Sequence, residues 1–159
     1  MESVFKLLDS LEIEYTVYEH PAVFTVNEAR QCEIELDFGE TKNLFLRNKK
    51  GDKHFLVVIE ALKQLDLKKL GNKIGEKNIS FASPERLLKH LGLTPGSVSP
   101  FGLINNIDKN VVLIIDQDLL KNEMLGFHPN INTRTIVLKT EVFLEIMNSL
   151  GYKILVENL

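Results

Sequence analysis

The chain has little of what usually announces a function. One cysteine, Cys32, in 159 residues leaves no partner for an internal disulfide. That suits a reducing compartment, so a cytoplasmic protein is expected. Long apolar runs are missing. The longest, Val111-Val112-Leu113-Ile114-Ile115, falls far short of the roughly 20 residues a membrane span needs. The first residues, Met1-Glu2-Ser3-Val4-Phe5-Lys6, lack a basic region followed by an apolar core, so no secretory leader and no membrane partner are expected. Charge is nearly balanced, 19 Lys and Arg against 22 Asp and Glu, a net of −3. This argues against broad, non-specific nucleic-acid binding, and no DNA partner is expected. A local basic patch could still hold one end of an RNA.

Familiar chemistries are missing too. The four histidines, His20, His54, His90 and His128, lie far apart, none at a metal-ligand spacing from another His or Cys. No phosphate-loop or dinucleotide fingerprint occurs, so neither a metal nor a cofactor is expected. There is no Gly-x-Ser-x-Gly elbow. Cys32 falls on a predicted helix, where packing competes with a nucleophilic role and no oriented base is apparent. Lys-rich segments at 47–53 and 63–77 could meet a phosphate backbone or could be solvated faces.

What remains is a globular composition, 44% hydrophobic and 26% charged, without repeats, low-complexity tracts or linkers. One domain over residues 1–159 is expected. Val4, Phe5, Leu7, Leu8 and Leu11 share a helical face over 2–11. Residues 14–18 read as a strand, and Thr25 with Glu28 has capping-box spacing for a helix to about Glu33. Lys42 to Asn48 and Lys53 to Glu60 form the clearest hairpin, around Lys49-Lys50-Gly51-Asp52. Asp66 to Lys73 reads as a helix. Ser83-Pro84-Glu85 opens another that Gly92 ends. Leu103 to Ile107 and Val111 to Ile115 read as strands around Asp108-Lys109-Asn110, followed by a helical turn over 116–122. Thr135 to Leu138 is a strand, Thr140 caps a helix to about Leu150, and Lys153 to Glu157 is the last strand. Tight turns between neighbouring strands favour an α+β domain with a mixed, largely antiparallel sheet and packed helices.

Three stretches concentrate chemistry. Thr94-Pro95-Gly96-Ser97-Val98-Ser99-Pro100-Phe101-Gly102-Leu103 holds two Gly, two Pro and two Ser. Such a loop has a defined shape and backbone N–H groups to offer, or it is a plain connecting turn. Gly126-Phe127-His128-Pro129-Asn130-Ile131-Asn132-Thr133-Arg134-Thr135 groups an imidazole, two amides, two hydroxyls and a guanidinium, suited to a polyhydroxylated or anionic ligand or to an Asn-rich turn. Lys42, in Glu40-Thr41-Lys42-Asn43-Leu44-Phe45-Leu46, is either an edge charge or an ammonium facing a cleft.

Taken together and in order, Thr41 to Leu46, Gly96 to Leu103 and Phe127-His128-Pro129-Asn130 with Asn132-Thr133, along with His20-Pro21-Ala22-Val23-Phe24-Thr25, resemble the YbaK-type aminoacyl-tRNA editing domain. Within it the freestanding ProX group, which removes alanine from mischarged proline tRNA, is most similar. Ile131 and Arg134 stand where that pattern carries smaller residues. The resemblance implies a compact α/β fold and an aminoacyl-tRNA deacylase acting on the acceptor end of a tRNA, tRNA(Pro) by analogy, with prolyl-tRNA synthetase as a possible partner. It implies Lys42 and the backbone of Gly96, Ser97 and Val98 as the catalytic groups. Asn43, Ser99, Pro100, Phe101, Gly102, His128, Asn130, Asn132 and Thr133 are implied as substrate-binding. An aminoacyl ester is already activated, so positioning and oxyanion stabilisation matter more than a strong nucleophile. Water attack aided by the substrate's ribose hydroxyl is expected. Phe24, Val26, Phe45 and Leu46 are candidate pocket walls. Cysteine or another small residue on the tRNA, or a non-catalytic tRNA-end module, remain as alternatives.

Overall fold

The computed structural model describes residues 2–22 and 37–159. The predicted helix at Thr25–Glu33, with Cys32, and the wall candidates Phe24 and Val26 lie outside the described residues. Helix α1 (Glu2–Ser10) is followed by β1 (Thr16–Glu19), β2 (Gly39–Arg47) and β3 (His54–Glu60). Then come α2 (Leu67–Ile74), β4 (Ser80–Phe81) and α3 (Pro84–Leu91), and a 3-10 helix at Pro100–Asn105. β5 (Val111–Asp116), a second 3-10 helix (Gln117–Lys121), β6 (Met124–Phe127), β7 (Arg134–Lys139), α4 (Thr140–Ser149) and β8 (Ile154–Glu157) complete the order.

The strands form one mixed sheet in the order β1-β7-β6-β2-β3-β5-β8, with β4 on β2 beside that path. Four pairs are antiparallel, β1·β7, β2·β3, β2·β4 and β6·β7. Three are parallel, β2·β6, β3·β5 and β5·β8. β3 is the central strand. From His54 to Ile59 every residue is buried, the pattern of a strand covered on both faces. Alternation sends Leu56 and Val58 into a core under α1, α3 and α4. Phe55, Val57 and Ile59 face a smaller core closed by Leu70 of α2.

Most local signals act as read. Ser83 accepts the Arg86 N–H at 3.3 Å to cap α3, Pro84 occupies its first turn, and Gly92 ends it at φ +65°. Asp66 caps α2 through the Lys69 N–H.

Three expectations are corrected. Leu103–Ile107 is not a strand. Ser99 accepts the Phe101 N–H at 3.2 Å and Pro100 fixes the next φ, so the chain starts a 3-10 helix instead. The Tyr152 hydroxyl, 3.1 Å from the carbonyls of Leu103 and Asn106, holds that helix's end. Gly126 and Phe127 lie on strand β6 rather than in a loop, between β2 and β7. Thr140 is the first residue of α4 and does not cap it. Its hydroxyl donates to the Asn122 carbonyl at 2.5 Å, while Lys139 holds the cap position without a side-chain bond.

Candidate active site

β2 pairs with β3 from Thr41 to Arg47. On its other edge β6 pairs with Gly39 and Glu40, and β4 with Leu46 and Arg47. The Ala82 N–H reaches the Phe45 carbonyl at 2.9 Å. Between these partners, residues 41–44 have no strand neighbour on that edge among the described residues. Lys42 and Asn43 occupy this interruption.

The Thr41 hydroxyl donates to the Gly126 carbonyl at 2.7 Å, tying β2 to β6 just before they part. The register that sets Glu40 beside Gly126 brings Lys42 level with His128. Alternation turns Phe127 into the larger core and His128 towards the face that Lys42 shares. On that face the Phe38 ring packs against Gly126. A Cβ on Gly126 would sit 2.3 Å from Phe38 Cε2, so only glycine permits the approach. Tyr18 meets Phe38 at 5.9 Å between ring centres.

The Lys42 ammonium donates to the Lys63 carbonyl at 2.6 Å. Partial burial lowers its pKa from the ordinary lysine value. It has no ion-pair carboxylate among the described residues. A neutral carbonyl orients the charge without cancelling it. Lys63 is itself anchored, its ammonium lying 2.6 Å from the buried Asp116 carboxylate and 2.9 Å from Asp118.

His128 is pushed down to about 4, first by burial and then by nearby His20, so it is neutral at physiological pH. The two rings lie 6.0 Å apart. His20 Nδ1 sits 2.9 Å from the Pro21 carbonyl, which can only accept, so Nδ1 carries a proton. In the neutral ring Nε2 then accepts from the Thr135 hydroxyl at 2.9 Å. The His20 N–H donates to the Thr133 carbonyl at 3.0 Å, which fastens the 128–133 loop to the end of β1. Asn130 sits in the left-handed region at φ +62°. Its Oδ1, like that of Asn43, is buried without a hydrogen-bond partner among the described residues. Asn132 is half-buried and Thr133 exposed. Arg134 turns away to pair with Glu19 at 2.8 Å.

The glycine loop is a turn with a job for each residue. Pro95 and Gly96 hold its centre, Gly96 at φ +87°, and the Ser97 N–H closes it on the Thr94 carbonyl at 3.1 Å. This is a type II arrangement, which needs glycine at the third position. Ser97 therefore spends its N–H inside the turn, a correction to its expected place among the backbone donors. The N–H groups of Gly96 and Val98 have no partner among the described residues. Ser99, Pro100, Phe101 and Gly102 are buried below the loop. Phe101 packs edge-on against Phe127, 5.9 Å between ring centres, so the loop rests on the residue preceding His128. These four support the loop instead of lining a surface. Of the wall candidates, Phe45 and Leu46 are buried in the two cores. His20, Phe38 and Lys63 belong to the site yet escaped the sequence reading of roles; only His20 carried a signal, through the His20-Pro21 motif.

An ammonium without a carboxylate partner among the described residues, a neutral half-buried imidazole, bare amide acceptors and a turn with unspent N–H groups suit hydrolysis of an activated ester. The chain belongs to the aminoacyl-tRNA editing domain family, whose model matches residues 20–146. Its class is that of an aminoacyl-tRNA deacylase. It is similar to the prolyl-tRNA editing protein ProX of Acetoanaerobium sticklandii, 42% identical over 150 residues, 94% of this chain and 92% of that protein. It is also 32% identical, over 95% of its length and 91% of the relative's, to the prolyl-tRNA synthetase associated domain-containing protein 1 of Mus musculus. A crystal structure described as a candidate trans-editing enzyme for prolyl tRNA synthetase superposes at a TM-score of 0.73, with 22% identity, over 100% of this chain and 97% of that one. That likeness is of fold, and it agrees with the mixed α+β architecture.

Proposed function

We propose that this chain, one editing domain over residues 1–159, hydrolyses the ester of tRNA(Pro) mischarged with alanine, acting in trans in the cytoplasm beside prolyl-tRNA synthetase. The observation that carries the reading is Lys42, a half-buried ammonium held by a carbonyl and without a carboxylate partner among the described residues. Negative charge that develops on the ester oxygen meets an uncancelled positive charge there. The N–H groups of Gly96 and Val98 supply oxyanion donors. Water attacks the ester carbon, the substrate's vicinal ribose hydroxyl takes part in proton transfer, and the tRNA 3′ oxygen leaves with a proton. Neutral His128 shapes the aminoacyl pocket and acts as no general base at this pKa.

Asn43 Oδ1 and Asn130 Oδ1 have no donor among the described residues, and a buried unsatisfied acceptor costs about 1–3 kcal/mol. The α-ammonium and ribose hydroxyls of an aminoacyl adenosine bring such donors. Selectivity follows size exclusion. Binding discriminates one methylene by only about 1–3 kcal/mol, so a second site that admits alanine and rejects the proline ring does what a synthetase pocket cannot.

The test is a deacylation assay with alanyl-, cysteinyl- and prolyl-charged tRNA(Pro). Alanine should leave fastest. Faster loss of cysteine moves the substrate within the same site. Binding of charged tRNA without turnover refutes the enzyme reading in favour of a tRNA-end module.

A further inference from the structure

Beyond Asn43 the same face of β2 leads to a ridge of cations. Asn43 and Phe45 share that face. The Phe45 ring stacks on His54 at 5.5 Å and meets His90 at 6.1 Å, and the two imidazoles are 4.0 Å apart. Arg86 clamps this group from α3, its Nη1 donating to the Gly51 carbonyl at 2.8 Å and to His54 Nε2 at 3.1 Å. The clamp fixes α3 against the β2–β3 turn and brings two basic segments into one surface. The turn contributes Arg47, Lys49 and Lys50, and the helix contributes Arg86 and Lys89. None of the five has an ion-pair partner among the described residues. The acids beside them are fewer. Asp52 keeps its charge next to Lys50 while its carboxylate accepts from Asn48 Nδ2 at 2.6 Å, Glu76 is engaged by Lys53 at 2.5 Å, and Glu85 is the acid in the first turn of α3.

Position gives the ridge its meaning. Asn43 and Arg47 are four residues apart on the face of β2 that α3 covers, about 13 Å at strand rise, while Lys42 faces the other side at the same interrupted edge. β4 and the Ala82 that leads into α3 border the interruption that holds Lys42 and Asn43. A polyanion whose end is held at the edge by Asn43 and which leaves along that face of β2 passes over these cations within the length of a short single-stranded end. We propose that the ridge of Arg47, Lys49, Lys50, Arg86 and Lys89 receives the backbone phosphates of the RNA whose charged 3′ end occupies the site. The proposal rests on the deacylase reading, because that reading supplies the polyanion. Phosphate contacts of this kind position a nucleic acid without reading its sequence.

The test compares three proteins: wild type, Lys49→Gln/Lys50→Gln/Lys89→Gln, and a charge-matched control, Lys68→Gln/Lys69→Gln/Lys77→Gln, whose exposed lysines lie on and just after α2. Affinity for uncharged tRNA(Pro) is measured from 50 to 200 mM salt. Deacylation is measured on charged tRNA and on 3′-alanyl-adenosine, which has no phosphate backbone. The ridge variant should show a salt dependence shallower by about 2–3 on the log–log scale, at roughly 0.7–0.9 per lost phosphate contact. Wild type should then lose about 16- to 64-fold more affinity than the variant across that salt range. KM for charged tRNA should rise in the ridge variant alone, with turnover of alanyl-adenosine unchanged. An unchanged salt slope, an equal effect in the control, or an equal loss on alanyl-adenosine would overturn the proposal. So would salt-sensitive capture of the synthetase by the ridge with tRNA affinity unmoved, which assigns the surface to an acidic protein. Binding of uncharged tRNA tests the ridge even if no deacylation occurs, so the two readings can fail separately.

Discussion

Lys42→Met keeps most of the aliphatic stem and removes the charge. A unit charge about 4 Å from another, at an effective dielectric of about 20, is worth about 4 kcal/mol. Lys42 is half-buried, and the ester oxygen carries only part of a charge at the transition state. Discounting for both leaves about 2–3 kcal/mol, a rate loss of about 30- to 160-fold. The stability cost is smaller. The substitution removes one donor from the Lys63 carbonyl, worth about 1 kcal/mol. Lys63 keeps its anchors on Asp116 and Asp118, so the turn should stay in place. Single-turnover deacylation with enzyme in excess reads the chemical step, and thermal unfolding checks the fold. The loss should fall on kcat, because the charge acts on a developing oxyanion more than on ground-state binding. A variant that melts near the wild type and works within about threefold of its rate would refute this role for Lys42.

Other outcomes follow from the same geometry. The depressed pKa of Lys42 sets an alkaline limit on kcat below the ordinary lysine range, absent from Lys42→Met; coincident pH profiles would exclude it. His54 and His128 are both held near 4 when folded, well under the unfolded value of about 6.5. The unfolded chain binds more protons between these values, so stability is full above pH 6.5 and is lost as pH falls towards 4. Melting temperatures measured over that window should decline with acidity, and a flat profile would contradict the burial assigned to these rings. Ser99→Ala removes the cap of the first 3-10 helix and should cost about 1 kcal/mol in denaturant unfolding, with loop-dependent catalysis falling alongside. Gly126→Ala drives a methyl into Phe38 and should lower alanine release more than stability; an unchanged rate would separate Phe38 from the pocket.

Elements with local instructions were legible in the sequence. Ser83-Pro84 and Gly92 state both ends of α3, and the β2–β3 hairpin needs only its two apolar runs and the turn between them. The misreadings share a cause. Leu103 to Ile107 is apolar enough for a strand, but Ser99 and Pro100 start a different helix, and Tyr152 fastens it from 49 residues away. β6 contains a glycine and no β-branched residue, so only its neighbours β2 and β7 make it a strand. The site divides the same way. Gly96 and Asn130 are marked by residue type, since a positive φ favours Gly and Asn. Lys42 could be named only through a resemblance, because what distinguishes it from an edge lysine is a carbonyl 21 positions later and the interruption between β4 and β6.

That interruption bears on how the protein avoids sticking to itself. Unpaired strand edges invite a second chain to add its own strand, and sheets usually guard them with charge, bulges or cover. Here the stretch without a strand neighbour among the described residues is about four residues, roughly 13 Å at strand rise, with strands closing both ends. It is too short to template a cross-strand ladder, and Lys42 adds a charge to it. The gap therefore leaves main-chain polar groups reachable by a small ester-linked end while denying them to aggregation.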